Sequence, residues 1–567
     1  MSGKPHFIFL TGVVSHNFNI PFSRYAGPYV LSSQLEEAGY DVTIVDWFLI
    51  IDNFFSYIKK LVRPETIAIG ISTTYLFPTR KDYKINDTGE AGQHFIFKDT
   101  TTTEAEDETS LDRSSLDIEF IKSQMFYLWE TSNSELKSWM LNLRAVTDKV
   151  NPNLKIIFGG HRLSRIYQDT DLLEDDYALF LGDYFVLGHA DTSLPVMLEH
   201  IKNGTENQIK TINKRGMKWV DSAIPEYLHQ PKPIPKAFYK KKDAIFKNEW
   251  LSTEPSRGCK FNCSFCSHER LMVYKKAMET LKEEFLFNYE NFGTTGYHFT
   301  SDCFNDNKPF VLEFAEMVAT LPFKIEYCTY ARADLFYKNE DMIVAMKESG
   351  FKAGWFGVET FNIEAGRFAG KNPTHVKELL IKIKEIIPDL WMSMYMIIGL
   401  PKDTVESLYE TLEWLKNQSV IDEVSASVLS IPTFIEELSS VIDYSDMTNS
   451  PEQFGFTKIQ YDPYFYWEHE SMNLNQAIKV KKAWEKGLYY HKYTRFGGSA
   501  RGEYPAIRGI GLSQDQTRTY MKTKFNNGAN LTNLTREQKA NLRKLVRNKV
   551  YDNINNYHKE LITLNAR

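Results

Sequence analysis

The chain has 567 residues, of which 43% are apolar and 25% charged, and a formal net charge of −6. That length accommodates several domains, and the composition is that of a globular protein. The slightly acidic balance argues against broad nucleic-acid binding, no run of about 18 apolar residues marks a membrane span, and five cysteines are too few for a disulfide framework.

Apolar, β-branched runs at 7–14, 42–47, 67–72, 154–158 and 178–181 read as strands. Helical spacing covers 29–38, which stops at Gly39, and 54–62, which stops before Pro64; further helices fall around 134–150 and 193–201. Fully apolar strands alternating with helices imply a parallel sheet covered on both faces. Residues 1–205 are therefore expected to be a Rossmann-like, doubly wound α/β domain. A polar stretch at 80–116, with threonines at 100–103, reads as an insertion. Residues 206–248, with Pro231, Pro233 and Pro235, read as a linker whose basic run is a solvated face or an anion contact.

A second alternating series follows, with strands expected at 250–255, 297–301, 325–330, 354–358, 392–398 and 423–430. Six β/α units predict a partial (β/α)6 barrel over residues 249–440, with chemistry at the carboxyl ends of its strands. Residues 441–567 read as a smaller, mainly helical domain. Its aromatic cluster of Tyr461, Tyr464, Tyr466 and Trp467 suits a core or a pocket lining.

Cys259, Cys263 and Cys266 stand in a C-x3-C-x2-C pattern with no fourth cysteine nearby. A [4Fe–4S] cluster normally takes four thiolates. Three close thiolates leave one iron open, and an open metal position is where chemistry happens. His268 is available as a fourth ligand for a Cys3His zinc site, and three ordinary buried thiols are a further reading. Cys303 and Cys328 read as small buried residues.

The cysteine spacing, with Phe265 before the third cysteine, resembles the radical S-adenosylmethionine (SAM) enzymes. The resemblance implies a cluster whose open iron binds the amino and carboxylate groups of SAM and whose electron splits SAM to methionine and a 5′-deoxyadenosyl radical. It extends along the barrel. Ser301 and Asp302 fall where the family places acceptors for the SAM ammonium, although its common Gly-Gly-Glu is missing. Arg332, in Arg-x-Asp, and Glu359 fall at the ends of strands three and four. Lys371 follows as a partner for the SAM carboxylate, and Gly399, in Gly-Leu-Pro, corresponds to the strand-five glycine beside adenine. Phe265 is expected near adenine. Read singly, Arg332 with Asp334 is a surface ion pair, Glu359 a helix cap and Gly399 a turn residue.

A Rossmann-like domain ahead of such a barrel resembles the cobalamin-binding group of the family, in which methyl transfer to an unreactive carbon is common. Ser72 and Thr74 after strand three, with Gly159 and Gly160 after strand four, are then expected at the cobalamin nucleotide tail. The Asp-x-His-x-x-Gly motif of other cobalamin proteins is absent: His16 is present, but Val14 and Asn19 hold the Asp and Gly places. A retained domain without cofactor remains an alternative. The functional expectation is a radical SAM enzyme, with cobalamin-dependent methyl transfer as its finer form. A cobalamin-independent enzyme and a non-catalytic cluster-bearing protein are the alternatives. The resemblance also implies a small-molecule or peptide substrate, an electron donor such as a flavodoxin or ferredoxin, and, for an exposed cluster, the reducing cytoplasm.

Overall fold

The computed structural model describes residues 3–11, 14–15, 20–21, 23–72, 118–160, 163–169, 175–222, 224, 236, 239–266, 273–431, 445–460, 466–489, 491–497, 500–523 and 532–565. The chain divides into two compact units. One holds residues 1–246, 435–442 and 551–567; the other holds 247–434 and 443–550.

The first unit is built on a seven-stranded sheet. Its strands are β1 (His6–Thr11), β2 (Asp41–Asp46), β3 (Thr66–Ser72), β4 (Lys155–Gly159), β5 (Tyr184–Leu187), β6 (Ile212–Lys214) and β7 (Met217–Asp221). The order is β2-β1-β3-β4-β5-β7-β6, parallel throughout except for β6 against β7. All six residues of β1 are buried, as expected for a central strand covered on both faces. Helices α1 (Ala26–Glu37), α2 (Phe54–Leu61), α3 (Ile118–Thr147) and α4 (Ala190–Lys202) connect the strands. The sequence doubles back between β1 and β3. That reversal is the switch point at which doubly wound sheets bind ligands.

Two expectations change here. Residues 178–181 form a 3-10 turn, and the fifth strand starts at Tyr184. Gly182, between them, has no room for a side chain, because a Cβ there would meet the Phe158 ring at 2.5 Å. Residues 212–221, expected within a linker, are the β6–β7 pair that extends the sheet edge. The polar stretch 80–116 lies outside the described residues, as do His16, His268, Tyr461 and Tyr464.

The end of β2 carries a buried charge network. Arg24 and Asp46 pair at 3.0 Å with both side chains fully buried, and the Tyr29 hydroxyl donates to the same carboxylate oxygen. The guanidinium lies 4.3 Å from the centre of the Tyr557 ring. Burial pushes the Asp46 carboxyl up despite the Arg24 charge.

The second unit is a sheet of seven parallel strands in sequence order: β8 (Leu251–Thr253), β9 (Gly296–Phe299), β10 (Glu326–Ala331), β11 (Phe351–Glu359), β12 (Trp391–Ile398), β13 (Glu423–Val428) and β14 (Arg495–Phe496). The six expected barrel strands are present, and the two-residue β14 adds a seventh from the C-terminal part. That part also holds a three-stranded antiparallel sheet (Phe456–Gln460, Tyr466–His469, Met472–Asn473) besides its helices. Phe299, Phe304, Phe314 and Tyr327 pack against one another behind β9 and β10, with Phe299 and Tyr327 stacked at 4.5 Å.

Candidate functional site

The cysteine loop leaves β8 through a short antiparallel pair, Ser256–Arg257 with Tyr274–Lys275, which closes its base. Cys263 is buried, and Cys259 and Cys266 are half-buried. The loop is seated on the turn after a short helix, Ile363–Phe368. The Ser264 amide donates to the Ala369 carbonyl (3.3 Å), and the Ser264 hydroxyl donates to the Phe368 carbonyl (3.2 Å). Gly370 completes the seat. Its φ is +79°, and a Cβ there would lie 3.2 Å from both the Asn262 carbonyl oxygen and the Cys263 Cα. Phe265 is half-buried on the loop.

Arg332, just after β10, reaches this loop. Its Nε and Nη2 grip Asp334 in bidentate fashion at 3.0 and 2.6 Å, Nη1 donates to Cys263 Sγ at 3.5 Å, and Nη2 donates to the Gly370 carbonyl at 3.2 Å. The guanidinium also stacks 4.0 Å from the Phe261 ring centre. The Arg332–Asp334 pair is therefore a buried fastener of the cysteine loop rather than a surface ion pair.

Glu359 ends β11 in a left-handed conformation (φ +68°), which is unusual for a residue with a side chain and is the kind of strain that concentrates at functional sites. Its carboxylate is 3.4 Å from the Lys371 ammonium, which donates to the Gly357 carbonyl at 3.1 Å. Gly357 makes room for the pair, since a Cβ there would meet Glu359 Oε1 at 2.7 Å. Burial pushes the Glu359 carboxyl up, and the Lys371 charge opposes it. Beyond the end of β9, Ser301 is buried and its hydroxyl has no hydrogen-bond partner among the described residues, while Asp302 is half-buried. Gly399 has a packing reason to be glycine: the Trp467 ring lies 2.5 Å from where a Cβ would stand. Its carbonyl interacts with His469 Nε2 at 3.1 Å.

Cys303, buried as expected, and Asn305 stand in the turn after β9 beside this site. The Cys303 thiol donates to Asn305 Oδ1 at 3.4 Å, and the Asn305 amide exchanges hydrogen bonds with the Arg332 backbone. The neighbouring Cys303 thiol and the Phe261 amide, against burial, bring the Cys259 thiol down to about 6. The signal available in the sequence was position alone, two residues beyond Ser301.

The donor set suits an iron–sulfur cluster. Three thiols sit on one loop, with the Arg332 and Lys371 charges acting on the middle one. Among the described residues no three His, Cys, Asp or Glu side chains converge as they would on a single ion. A cubane distributes its thiolates over separate irons and needs no such convergence. In the first unit, Ser72 and Gly159 are register partners at the carboxyl ends of β3 and β4. A Cβ on Gly159 would meet nothing within 4 Å, and Gly160 has φ +107°. Thr74 lies outside the described residues.

Residues 253–415 match the Radical SAM superfamily. An uncharacterized methyltransferase of Pyrococcus horikoshii is 28% identical over 170 residues, 29% of this chain and 36% of that protein, so the match spans about a third of the curated relative's length. The fold is similar to that of TsrM from Kitasatospora setae, solved with cobalamin and a [4Fe–4S] cluster bound. That likeness has a TM-score of 0.57 and 12% identity, and it covers 97% of this chain and all of that one. It is also similar to OxsB, a cobalamin-dependent SAM radical enzyme solved with aqua-cobalamin, at a TM-score of 0.51 and 13% identity over 99% of this chain and 79% of that one. Residues 253–415 are thus similar to the radical SAM superfamily, within a fold like that of TsrM and OxsB.

Proposed function

We propose that the chain is a radical SAM enzyme that cleaves SAM reductively with a [4Fe–4S] cluster held by Cys259, Cys263 and Cys266, and that it transfers a methyl group with cobalamin. The observation that carries this reading is one polar, buried cluster beside the three-thiol loop, made of Arg332, Glu359 and Lys371. When bound, the cluster supplies one electron to SAM.

The chain's own residues do the rest. Ser301 and Asp302 accept hydrogen bonds from the SAM ammonium, Lys371 meets its carboxylate, and Glu359 takes a ribose hydroxyl or the ammonium. Phe265 and the Gly399 turn border adenine. Most of the donors of Arg332 are already directed at Asp334, Cys263 and Gly370, so its part is to hold the cysteine loop against which SAM binds. Ser72, Gly159 and Gly160, with Thr74, are the proposed contacts for the cobalamin tail. The β2-β1-β3-β4-β5 strand order supports this, because it sets the switch point beside Ser72. The cobalamin bound by TsrM and OxsB and the methyltransferase name of the Pyrococcus protein support it further. The substrate is a small molecule or a peptide, and the electron donor is a flavodoxin or ferredoxin.

Anaerobically reconstituted protein is expected to carry about four irons per chain. It should release 5′-deoxyadenosine from SAM and dithionite and take up hydroxocobalamin one to one. Gly160→Val should block cobalamin uptake and leave iron content unchanged. Zinc at full occupancy without iron would refute the cluster. SAM cleavage without any cobalamin uptake would favour a cobalamin-independent radical SAM enzyme, the reading suggested by Val14 and Asn19 standing in place of the Asp and Gly of the missing motif.

A further inference from the structure

The turn that follows β12 is closed by hydrogen bonds from a distant part of the chain. Residues 399–402 include two left-handed positions, Gly399 at φ +96° and Lys402 at φ +71°. A lysine keeps such a conformation only where its surroundings impose it. Here the surroundings come from the three-stranded antiparallel sheet, through Trp467, His469 and Ser471. Trp467 fills the space where a Gly399 side chain would stand, and its indole N–H donates to the Leu429 carbonyl at 2.9 Å. The Lys402 N–H donates to Ser471 Oγ at 3.1 Å, Ser471 Oγ lies 3.2 Å from His469 Nδ1, and His469 Nε2 lies 3.1 Å from the Gly399 carbonyl oxygen. The Lys402 ammonium pairs with Glu470 at 2.7 Å, and Asn362 Nδ2 donates to the Lys402 carbonyl at 3.3 Å.

The partners fix where the protons lie. A carbonyl only accepts, so His469 Nε2 carries the hydrogen. The Ser471 amide, 3.4 Å from Nδ1, only donates, so Nδ1 is bare and takes the Ser471 hydroxyl proton as well. The hydrogen bonds therefore run one way, from the Lys402 N–H through Ser471 and His469 to the Gly399 carbonyl, and they join the two ends of the turn. Links in such a series strengthen one another. His469 is almost wholly buried, and its ring stacks on Trp467 at 5.1 Å. Burial holds its imidazole below the ordinary value, which keeps it neutral near pH 7. Adenine presents an amino donor and ring-nitrogen acceptors. A backbone turn bordering it pairs well only when its own polar groups are held in place.

We propose that His469, with Ser471, is a positioning residue for SAM, fixing the 399–402 turn against which adenine lies. This rests on the functional reading above, which sets Gly399 beside adenine.

The test uses the full chain, reconstituted anaerobically, and two probes: SAM, which carries adenine, and methionine, which carries only the groups that meet the open iron. SAM is read by equilibrium binding to the oxidised cluster, and methionine by the change it makes in the electron paramagnetic resonance spectrum of the reduced cluster. His469→Phe keeps a ring against Trp467 but breaks the hydrogen-bond series. Its SAM affinity should fall roughly three- to ten-fold, with iron content and methionine binding unchanged. Ser471→Ala should weaken SAM binding in the same direction. His469→Gln, whose amide N–H stands in for Nε2–H, should restore most of the affinity. Equal weakening of both probes, or loss of iron, would mark a merely structural role and overturn the proposal. Unchanged SAM affinity in both His469→Phe and Ser471→Ala would overturn it as well. Ser471 is only half-buried, so Ser471→Ala keeps the test decisive if His469→Phe does not fold. An unaltered protein that holds its irons but binds neither probe would fail the functional reading itself, whereas normal binding of both probes by every variant would fail only this inference.

Discussion

Replacing Gly370 with Ala tests how the cysteine loop is held. The new methyl group would lie 3.2 Å from the Asn262 carbonyl oxygen and from the Cys263 Cα, both backbone atoms that cannot swing aside. Two costs add. A side chain at φ +79° costs roughly 1 kcal/mol, in part offset by the stiffer unfolded chain. Forcing a methyl group into an occupied space adds about 1–3 kcal/mol. Gly511 supplies the control in the same unit: its φ is +90°, but nothing lies within 4 Å of its Cβ position, so Gly511→Ala carries only the first cost. Gly370→Ala should therefore melt several degrees below Gly511→Ala, at roughly 2–4 °C per kcal/mol for a unit of this size. It should also hold fewer irons after reconstitution, because displacement of Cys263 spoils the triad, whereas Gly511→Ala should load normally. Thermal denaturation and iron assay of the two variants decide the matter. Equal melting temperatures and equal iron would refute the argument that Gly370 is there to seat the loop.

Glu359→Ala removes a desolvated carboxylate that we assign to SAM; such a charge-assisted contact is worth about 1.5–3 kcal/mol, so SAM affinity measured by equilibrium binding should fall roughly ten-fold or more. Asp46→Asn leaves Arg24 buried without a counter-charge and should destabilise the first unit by about 3–5 kcal/mol in denaturant unfolding. Burial pushes the Asp422 carboxyl up, but Lys384, Lys522 and Arg518 outweigh it and bring it down to about 2. A carboxyl lowered on folding contributes stability above its unfolded value, near pH 4, and loses it as the pH falls toward 2. Asp422→Asn should thus be less stable than the unaltered protein at pH 7, by about 2 kcal/mol, with the gap closing below pH 4; a gap independent of pH would refute the ion-pair account.

Legibility in the sequence followed the range of the interactions involved. Barrel strands announced themselves because each is a run of apolar residues that must be buried, and β10, β11 and β12 start or end within a few residues of the expected bounds. The three thiols are local for the same reason: their spacing along one loop is a property of adjacent residues. The apolar run at 178–181 resembled a strand equally well, and only the Phe158 and Phe185 rings crowding Gly182 decide that the chain turns there and pairs from Tyr184. Residues 212–221 look like linker because β6 has an exposed face, and they are strands only because the edge of β5 offers its hydrogen bonds.

At the site itself, residue types were readable and roles were not. The pattern Arg-x-Asp is visible at 332–334, but the direction of the guanidinium, toward Cys263 and Gly370 as well as Asp334, depends on the turn after a different strand. Cys303 stands 44 positions from Cys259 in the chain, and no periodicity links them. What the sequence by itself determined is the order of elements and the three-cysteine motif, since both are set by neighbouring residues. Which side chains converge on those thiols was decided by tertiary structure, because parallel strands deliver their loops to one edge only after the sheet has formed.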